Sequence, residues 1–141
     1  MRPLAFVDLE TTGATATSDR ITEIGIVEVD ADGTVREWQQ LVNPGTRIPP
    51  FIEQLTGISN AMVADAPPFE AVAEETLRRL QGRLFIAHNA RFDYGFLKNE
   101  FKRLGLTFRA PVLCTVKLSR TLYPQHHRHN LDSLIERHGL Q

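Results

Sequence analysis

Cysteine is nearly absent from this chain. Cys114 is the one thiol in 141 residues, so no intrachain disulfide can form, which excludes a disulfide-stapled scaffold and fits a reducing, cytoplasmic setting. Long apolar runs are missing as well. No stretch approaches the ~18–20 residues that span a bilayer as a helix, which argues against a membrane partner, and the opening MRPLAFVDLE lacks the apolar core and small-residue cleavage site of a secretory signal. There is no internal repeat, linker or low-complexity segment, and the net charge of −1 shows no overall excess of either sign. What remains, 42% hydrophobic and 23% charged residues, is the make-up of one soluble globular domain over 1–141.

The small net charge hides a segregation along the chain. Residues 1–77 hold 4 basic and 13 acidic side chains, residues 78–141 hold 12 basic and 4 acidic, and all five histidines fall in the second part. Such a division suits a basic surface for a polyanion beside an acidic site for cations. It equally suits solvated faces that happen to separate in sequence.

Leu4-Ala5-Phe6-Val7 reads as a short buried strand whose apolar run stops at Asp8. ITEIGIVEVD at 21–30, the turn signal Asp30-Ala31-Asp32-Gly33 and a second alternating run at 34–38 read as a hairpin. Pro49-Pro50 opens a short helix that Gly57 can close, and Ser59 can cap another turn. Helical spacing runs through Phe69, Val72, Ala73, Leu77 and Leu80, then again through Phe92, Phe96, Leu97, Phe101 and Leu104. Strands are expected at 84–87 and near 112–114, and further helices at 115–122 and 130–138. The order implies an α/β layered domain in which a hairpin feeds a mixed sheet.

Asp8 and Glu10 flank Leu9 on an extended backbone, so both carboxylates point to one side. Like charges this close are unfavourable unless a cation lies between them, which invites a hard ion such as Mg²⁺ or Mn²⁺. A solvated strand end needs no ion, however. Thr11-Thr12-Gly13 follows with hydroxyls and a flexible backbone suited to a phosphate or sugar. Asp93 opens an amphipathic helix just after a strand that ends in His88-Asn89, the kind of junction where sites of open α/β sheets form. A third carboxylate there can complete a metal site, or simply complement the helix dipole.

Four segments in order resemble the DEDDh 3′-to-5′ exonucleases, including the proofreading epsilon subunit of DNA polymerase III: FVDLETTG at 6–13, LTGIS at 55–59, HNARFDYGFL at 88–97 and HNLDSLIERHGL at 129–140. The resemblance covers essentially the whole chain. It implies a ribonuclease H-like α/β fold, a mixed sheet with an antiparallel hairpin and helices on its faces. It also implies hydrolysis of phosphodiesters at single-stranded DNA or RNA 3′ ends in proofreading or repair, with two divalent cations, Mg or Mn, and nucleoside monophosphate as product. A polymerase subunit or a fused downstream domain would be the partner. Carried over by position, Asp8, Glu10 and Asp93 are the catalytic, metal-binding acids. Leu9, Thr11, Thr12 and Gly13 lie at the substrate backbone, Leu55 and Thr56 at the terminal nucleotide, and His88, Asn89 and Phe92 along its sugar and base.

The family's third motif, a late His-x4-Asp that supplies a general base and a further metal ligand, follows an element resembling HNLDSLIERHGL in relatives. The chain stops at Gln141, so the motif and its C-terminal helix are expected to be absent and the domain incomplete. An inactive nucleic-acid- or partner-binding domain is the alternative this raises. His127 and Asp132 have the required spacing, but in the context of the preceding element. His126, His127 and His129 can also be read as a transition-metal cluster or as a solvated loop. Cys114, inside a strand and without a nucleophile's partners, reads as a small core residue.

Overall fold

The computed structural model describes residues 2–114. Five strands form one sheet in the order β3-β2-β1-β4-β5. They are β1 (Leu4–Thr11), β2 (Ile21–Val29), β3 (Val35–Leu41), β4 (Leu84–Ala87) and β5 (Val112–Cys114), with helices α1 (Pro50–Thr56), α2 (Asn60–Val63), α3 (Phe69–Leu80) and α4 (Ala90–Arg103) between them. Strands β1, β2 and β3 pair antiparallel, whereas β4 pairs parallel to β1 and β5 parallel to β4. The sheet is therefore mixed, with the hairpin on one side and a β4-α4-β5 crossover on the other. The expected helices at 115–122 and 130–138, His126, His127, His129, Asp132 and any C-terminal helix lie outside the described residues.

Period-two alternation sets the two faces of β1. Ala5, Val7 and Leu9 are buried and join Ile24 and Ile26 of β2 and Phe85 of β4 in one core. Phe69, Val72, Ala73 and Leu80 of α3 and Phe96, Leu97 and Phe101 of α4 close that core from the same side. Edge-to-face rings lock the two helices together, with Phe69 and Phe101 at 5.2 Å. Arg79 on α3 pairs with the buried Glu28 of β2 and lies 4.9 Å over the ring of Trp38, which fixes α3 against the hairpin. The other sheet face carries Phe6, Asp8 and Glu10 opposite Val27, Gly25 and Glu23.

β1 does not stop where its apolar run stops. Pairing with β2 continues through Asp8↔Gly25, Leu9↔Ile24 and Glu10↔Glu23, and an irregularity follows between Glu10 and Thr11. On its other edge β1 is paired with β4 only from Leu4↔Leu84 to Phe6↔Ile86. Chain connections leave β1 and β4 in opposite directions, so a crevice opens between their carboxyl ends, where sites of such sheets form.

A smaller apolar cluster stands beyond β3. Ile48, Ile52, Ile58 and Val63 are buried in it, with Leu41 packed against them. Pro49 precedes α1 in an extended conformation and Gly57 ends it at φ 76°, its N–H donating to the Glu53 carbonyl. A left-handed cap of this kind favours glycine. Ser59 caps α2, its Oγ accepting from the Met62 N–H at 3.2 Å. Among the described residues no helix is long and apolar enough to cross a membrane.

Candidate active site

Asp8 is exposed on the open sheet face and Glu10, two residues on, is half-buried. Asp93 comes from a different element. It sits in the first turn of α4, only 6% exposed, and its Oδ1 accepts the Leu9 N–H at 3.3 Å. Because β4 no longer accompanies β1 at this point, that N–H faces the crevice and the carboxylate of α4 receives it. Leu9 thus contributes its backbone, while its side chain is buried in the core. The bond draws the third acid to the strand position between the first two.

The electrostatics record the crowding. Burial, then the nearby Asp8 charge, pushes the Asp93 carboxyl up to about 7, against the opposing pull of the Leu9 N–H, with Glu10 adding to the rise. Glu10 is raised by burial, then by Asp8 and Glu23. Glu23 is raised by burial and by Asp8. Glu23, opposite Glu10 on the neighbouring strand β2, is a fourth acid that sequence reasoning missed, because only the β1-β2 register places it there. Gly25 stands opposite Asp8, and a Cβ on it would come within 3.3 Å of the Asp8 carbonyl.

Hard oxygen donors repelling one another around a crevice fit a divalent cation, which favours carboxylate ligands and relieves their repulsion. As they stand, no three His, Cys, Asp or Glu side chains among the described residues are grouped closely enough to hold an ion.

The turn after β1 is built tightly. Thr11 Oγ1 donates to the Gly13 carbonyl at 2.6 Å, and the buried Thr12 donates to Asp19 at 3.2 Å while accepting the Arg20 N–H at 3.0 Å. Both hydroxyls are thus engaged within the turn itself. Asp19 also accepts the Thr15 N–H at 2.9 Å. A Cβ on Gly13 would lie 2.4 Å from the Asp19 carboxylate, so only glycine leaves room for this arrangement. Gly13→Ala is therefore expected to displace the Asp19 carboxylate and to destabilise the domain by about 1 kcal/mol, the scale of the hydrogen bonds that Asp19 would give up. Urea denaturation checks this, and an unchanged midpoint would contradict it.

The remaining candidates divide between exposed and engaged positions. Leu55 projects from α1 at 76% exposure, and Thr56 Oγ1 donates to the Ile52 carbonyl at 2.8 Å while accepting the Ile58 N–H. Half-buried His88 ends the β4 run, its carbonyl accepting from Cys114 Sγ at 3.5 Å. Cys114 is partly buried against the core, as a small packing residue. Asn89 caps α4, its carbonyl accepting the Phe92 and Asp93 N–H groups. Asn89 and Phe92, together with Ala14, Ala16, Arg91 and Phe96, line a cavity of about 270 Å³ beside the turn.

Comparison with known proteins agrees with this architecture. The family model described as RNase T-type exonuclease matches residues 5–141. The 3′-5′ exonuclease DinG of Bacillus subtilis strain 168 is 44% identical over 134 residues, 92% of this chain and 14% of that protein. The PolC-type DNA polymerase III of Caldanaerobacter subterraneus subsp. tengcongensis is 43% identical over 129 residues, 92% of this chain and 9% of that one. Exonuclease X, solved in complex with 5′-overhanging duplex DNA, superposes with a TM-score of 0.74 at 30% identity, over 98% of this chain and 74% of its own. E. coli exonuclease I, solved with a dT13 oligonucleotide, has a TM-score of 0.81 at 17% identity over 100% of this chain and 36% of its own, a likeness of fold.

The sheet and its helices are a ribonuclease H-like exonuclease fold. The chain belongs to the RNase T, or DEDD, family of 3′-5′ exonucleases, homologous to the exonuclease regions of DinG and PolC-type polymerases. It spans only a small part of the length of those two relatives.

Proposed function

We propose that this chain is a single, metal-dependent 3′-to-5′ exonuclease domain that hydrolyses phosphodiesters at the 3′ end of single-stranded nucleic acid, DNA in proofreading or repair, as part of a larger replication or repair assembly. The observation that carries the reading is the bond from the Leu9 N–H to Asp93. It joins α4 to β1 between Asp8 and Glu10, which supports a shared role for three acids from two distant segments.

In this reading Asp8, Glu10 and Asp93 hold two Mg²⁺ or Mn²⁺ ions. When bound, such ions supply an activated water and stabilise the departing 3′ oxygen of an in-line displacement. The chain's own residues position the strand. Leu9 fixes Asp93, and the rigid turn at Thr11, Thr12 and Gly13 presents backbone to the terminal sugar and phosphate. Leu55, Thr56, His88, Asn89 and Phe92 enclose the last nucleotide without reading its base, since apolar and stacking contacts accept any base. DinG, named as a 3′-5′ exonuclease, and exonuclease X, solved with DNA, support the polarity and the substrate class.

Supplied with Mg²⁺ or Mn²⁺, a protein that carries this domain together with a late His-x4-Asp is expected to release nucleoside monophosphates stepwise from a 3′-terminated single strand, to leave a closed single-stranded circle uncut, and to stop on chelation. Gel and chromatographic analysis of the products reads all three. Cutting of the circle would contradict the end-directed reading, and binding of the strand without any turnover would favour a non-catalytic binding domain.

A further inference from the structure

Of the eight phenylalanines in the chain, five are fully buried and two half-buried. Phe51, on α1, is 69% exposed. Its neighbour Ile52 faces the small cluster of Ile48, Ile58 and Val63, so α1 is already anchored and the fold gains little from a phenyl ring on its outer side. Phe51 and Leu55 are one helical turn apart and share that outer face. Met62 on α2 adds a third exposed apolar side chain at 49%.

The sheet register locates this face relative to the acids. Glu10 pairs with Glu23, Glu23 pairs with Leu41, and Leu41 packs against the cluster that carries α1. With strands ~4.8 Å apart, Leu41 lies about two strand spacings, or ~10 Å, from Glu10, and α1 packs on the cluster next beyond it. Charge also favours a polyanion there. Arg47 is exposed just ahead of α1 and makes no ion pair among the described residues. Glu53, the acid on α1, is turned inward, accepting from the N–H and Nδ2 of Asn60 at 2.8 and 3.1 Å.

We propose that Phe51, exposed on the same segment that carries the exposed Arg47, is a stacking platform for an unpaired base of the strand leading into the site, a contact additional to that of the terminal nucleotide at Leu55. An exposed aromatic face on a segment that also carries a cation is the chemistry with which proteins hold single strands irrespective of sequence. The inference rests on the exonuclease reading for its ligand, and its test is read by binding as well as by turnover.

Fluorescence anisotropy of a labelled single strand of about ten nucleotides, in EDTA so that no hydrolysis intervenes, compares the wild-type chain with Phe51→Ala and Phe51→Tyr. Phe51→Ala is expected to weaken binding roughly tenfold, the scale of one lost stacked base, and Phe51→Tyr to bind like wild type. With metal present, KM is expected to rise for the long strand and much less for a dinucleotide, which occupies the Leu55 end of the site and is too short to reach Phe51. Equal affinity of wild type and Phe51→Ala would overturn the proposal, as would equal losses on long and short substrates. A Phe51-dependent dimer in sedimentation without any change in strand binding would overturn it in favour of a second copy of the chain as occupant. Failure of the exonuclease reading shows separately, as wild-type chain that binds the strand with Phe51 dependence yet releases no nucleotide.

Discussion

Asp93→Asn is expected to lower the rate of 3′-end hydrolysis by roughly 10³-fold, the scale of a lost metal-ligand charge, while making the metal-free domain more stable near pH 8. The two effects have one origin. Burial and the Asp8 charge raise the Asp93 carboxyl from its ordinary 3.8 to about 7. In the unfolded chain it gives up its proton near pH 4, whereas in the folded chain it keeps the proton until about pH 7. Between those values the folded state binds more protons, so stability falls as pH rises through that window and stays low above it. Below pH 4 both states are protonated and the group contributes nothing. The full difference is on the order of 4 kcal/mol. Asparagine retains an oxygen for the Leu9 N–H and carries no charge, which removes this dependence. Urea denaturation in EDTA from pH 4 to 8 is expected to show wild type and variant diverging with pH. Parallel lines would show that Asp93 is not the strained acid.

Glu100→Ala is expected to cost about 3 kcal/mol of stability, the scale of a broken buried ion pair, and to lower the melting temperature by roughly 10 °C. Glu100 is 1% exposed on α4. Its carboxylate accepts from Arg20 Nε at 3.0 and 3.1 Å, from the Ile21 N–H at 3.2 Å and from Arg103 at 3.0 Å. Alanine leaves the Ile21 N–H without that partner and releases both guanidinium groups to solvent. Glu100→Gln keeps an acceptor for the N–H and is expected to lose less. The pair also bears on the site: Glu100 lies seven residues after Asp93 on the same helix, so this brace ties α4 to the loop that follows the Thr11–Gly13 turn. Calorimetry on the three proteins checks the order, and a loss below about 1 kcal/mol for the alanine variant would mean the network contributes only as a surface pair does.

Much of this arrangement is written in local pattern. Strand β4 and strand β5 fall where short apolar runs place them, and the α3 and α4 stripes appear because helical periodicity is a property of adjacent turns, except that Leu104, expected at the end of the α4 stripe, lies just past the helix and is exposed. Asp8 and Glu10 share a face by strand period alone. What the pattern does not hold is pairing between distant segments. The apolar run of β1 ends at Val7, yet the strand runs on to Thr11 because β2 keeps pairing with it. Glu23 enters the acidic group only through that register. Asp19 and Glu100 read locally as a loop acid and a helix acid, and their roles come from partners at Thr12, Thr15, Arg20 and Ile21. Asp93 was within reach of the sequence because its motif resembles a known one. Its bond to Leu9 was not, because nothing local to either residue specifies where β4 lets go of β1.

The central claim is that Asp8, Glu10 and Asp93 act together on divalent cations, and manganese uptake tests it without any assumption about substrate. Electron paramagnetic resonance of free Mn²⁺, titrated with the wild-type chain and with Asp8→Asn, Glu10→Gln and Asp93→Asn, measures the affinity directly. The expected result is saturable binding by wild type that weakens at least roughly tenfold in each variant, since each loses one carboxylate charge from a shared hard-ion site. Mn²⁺ affinity unchanged in Asp93→Asn would contradict the account.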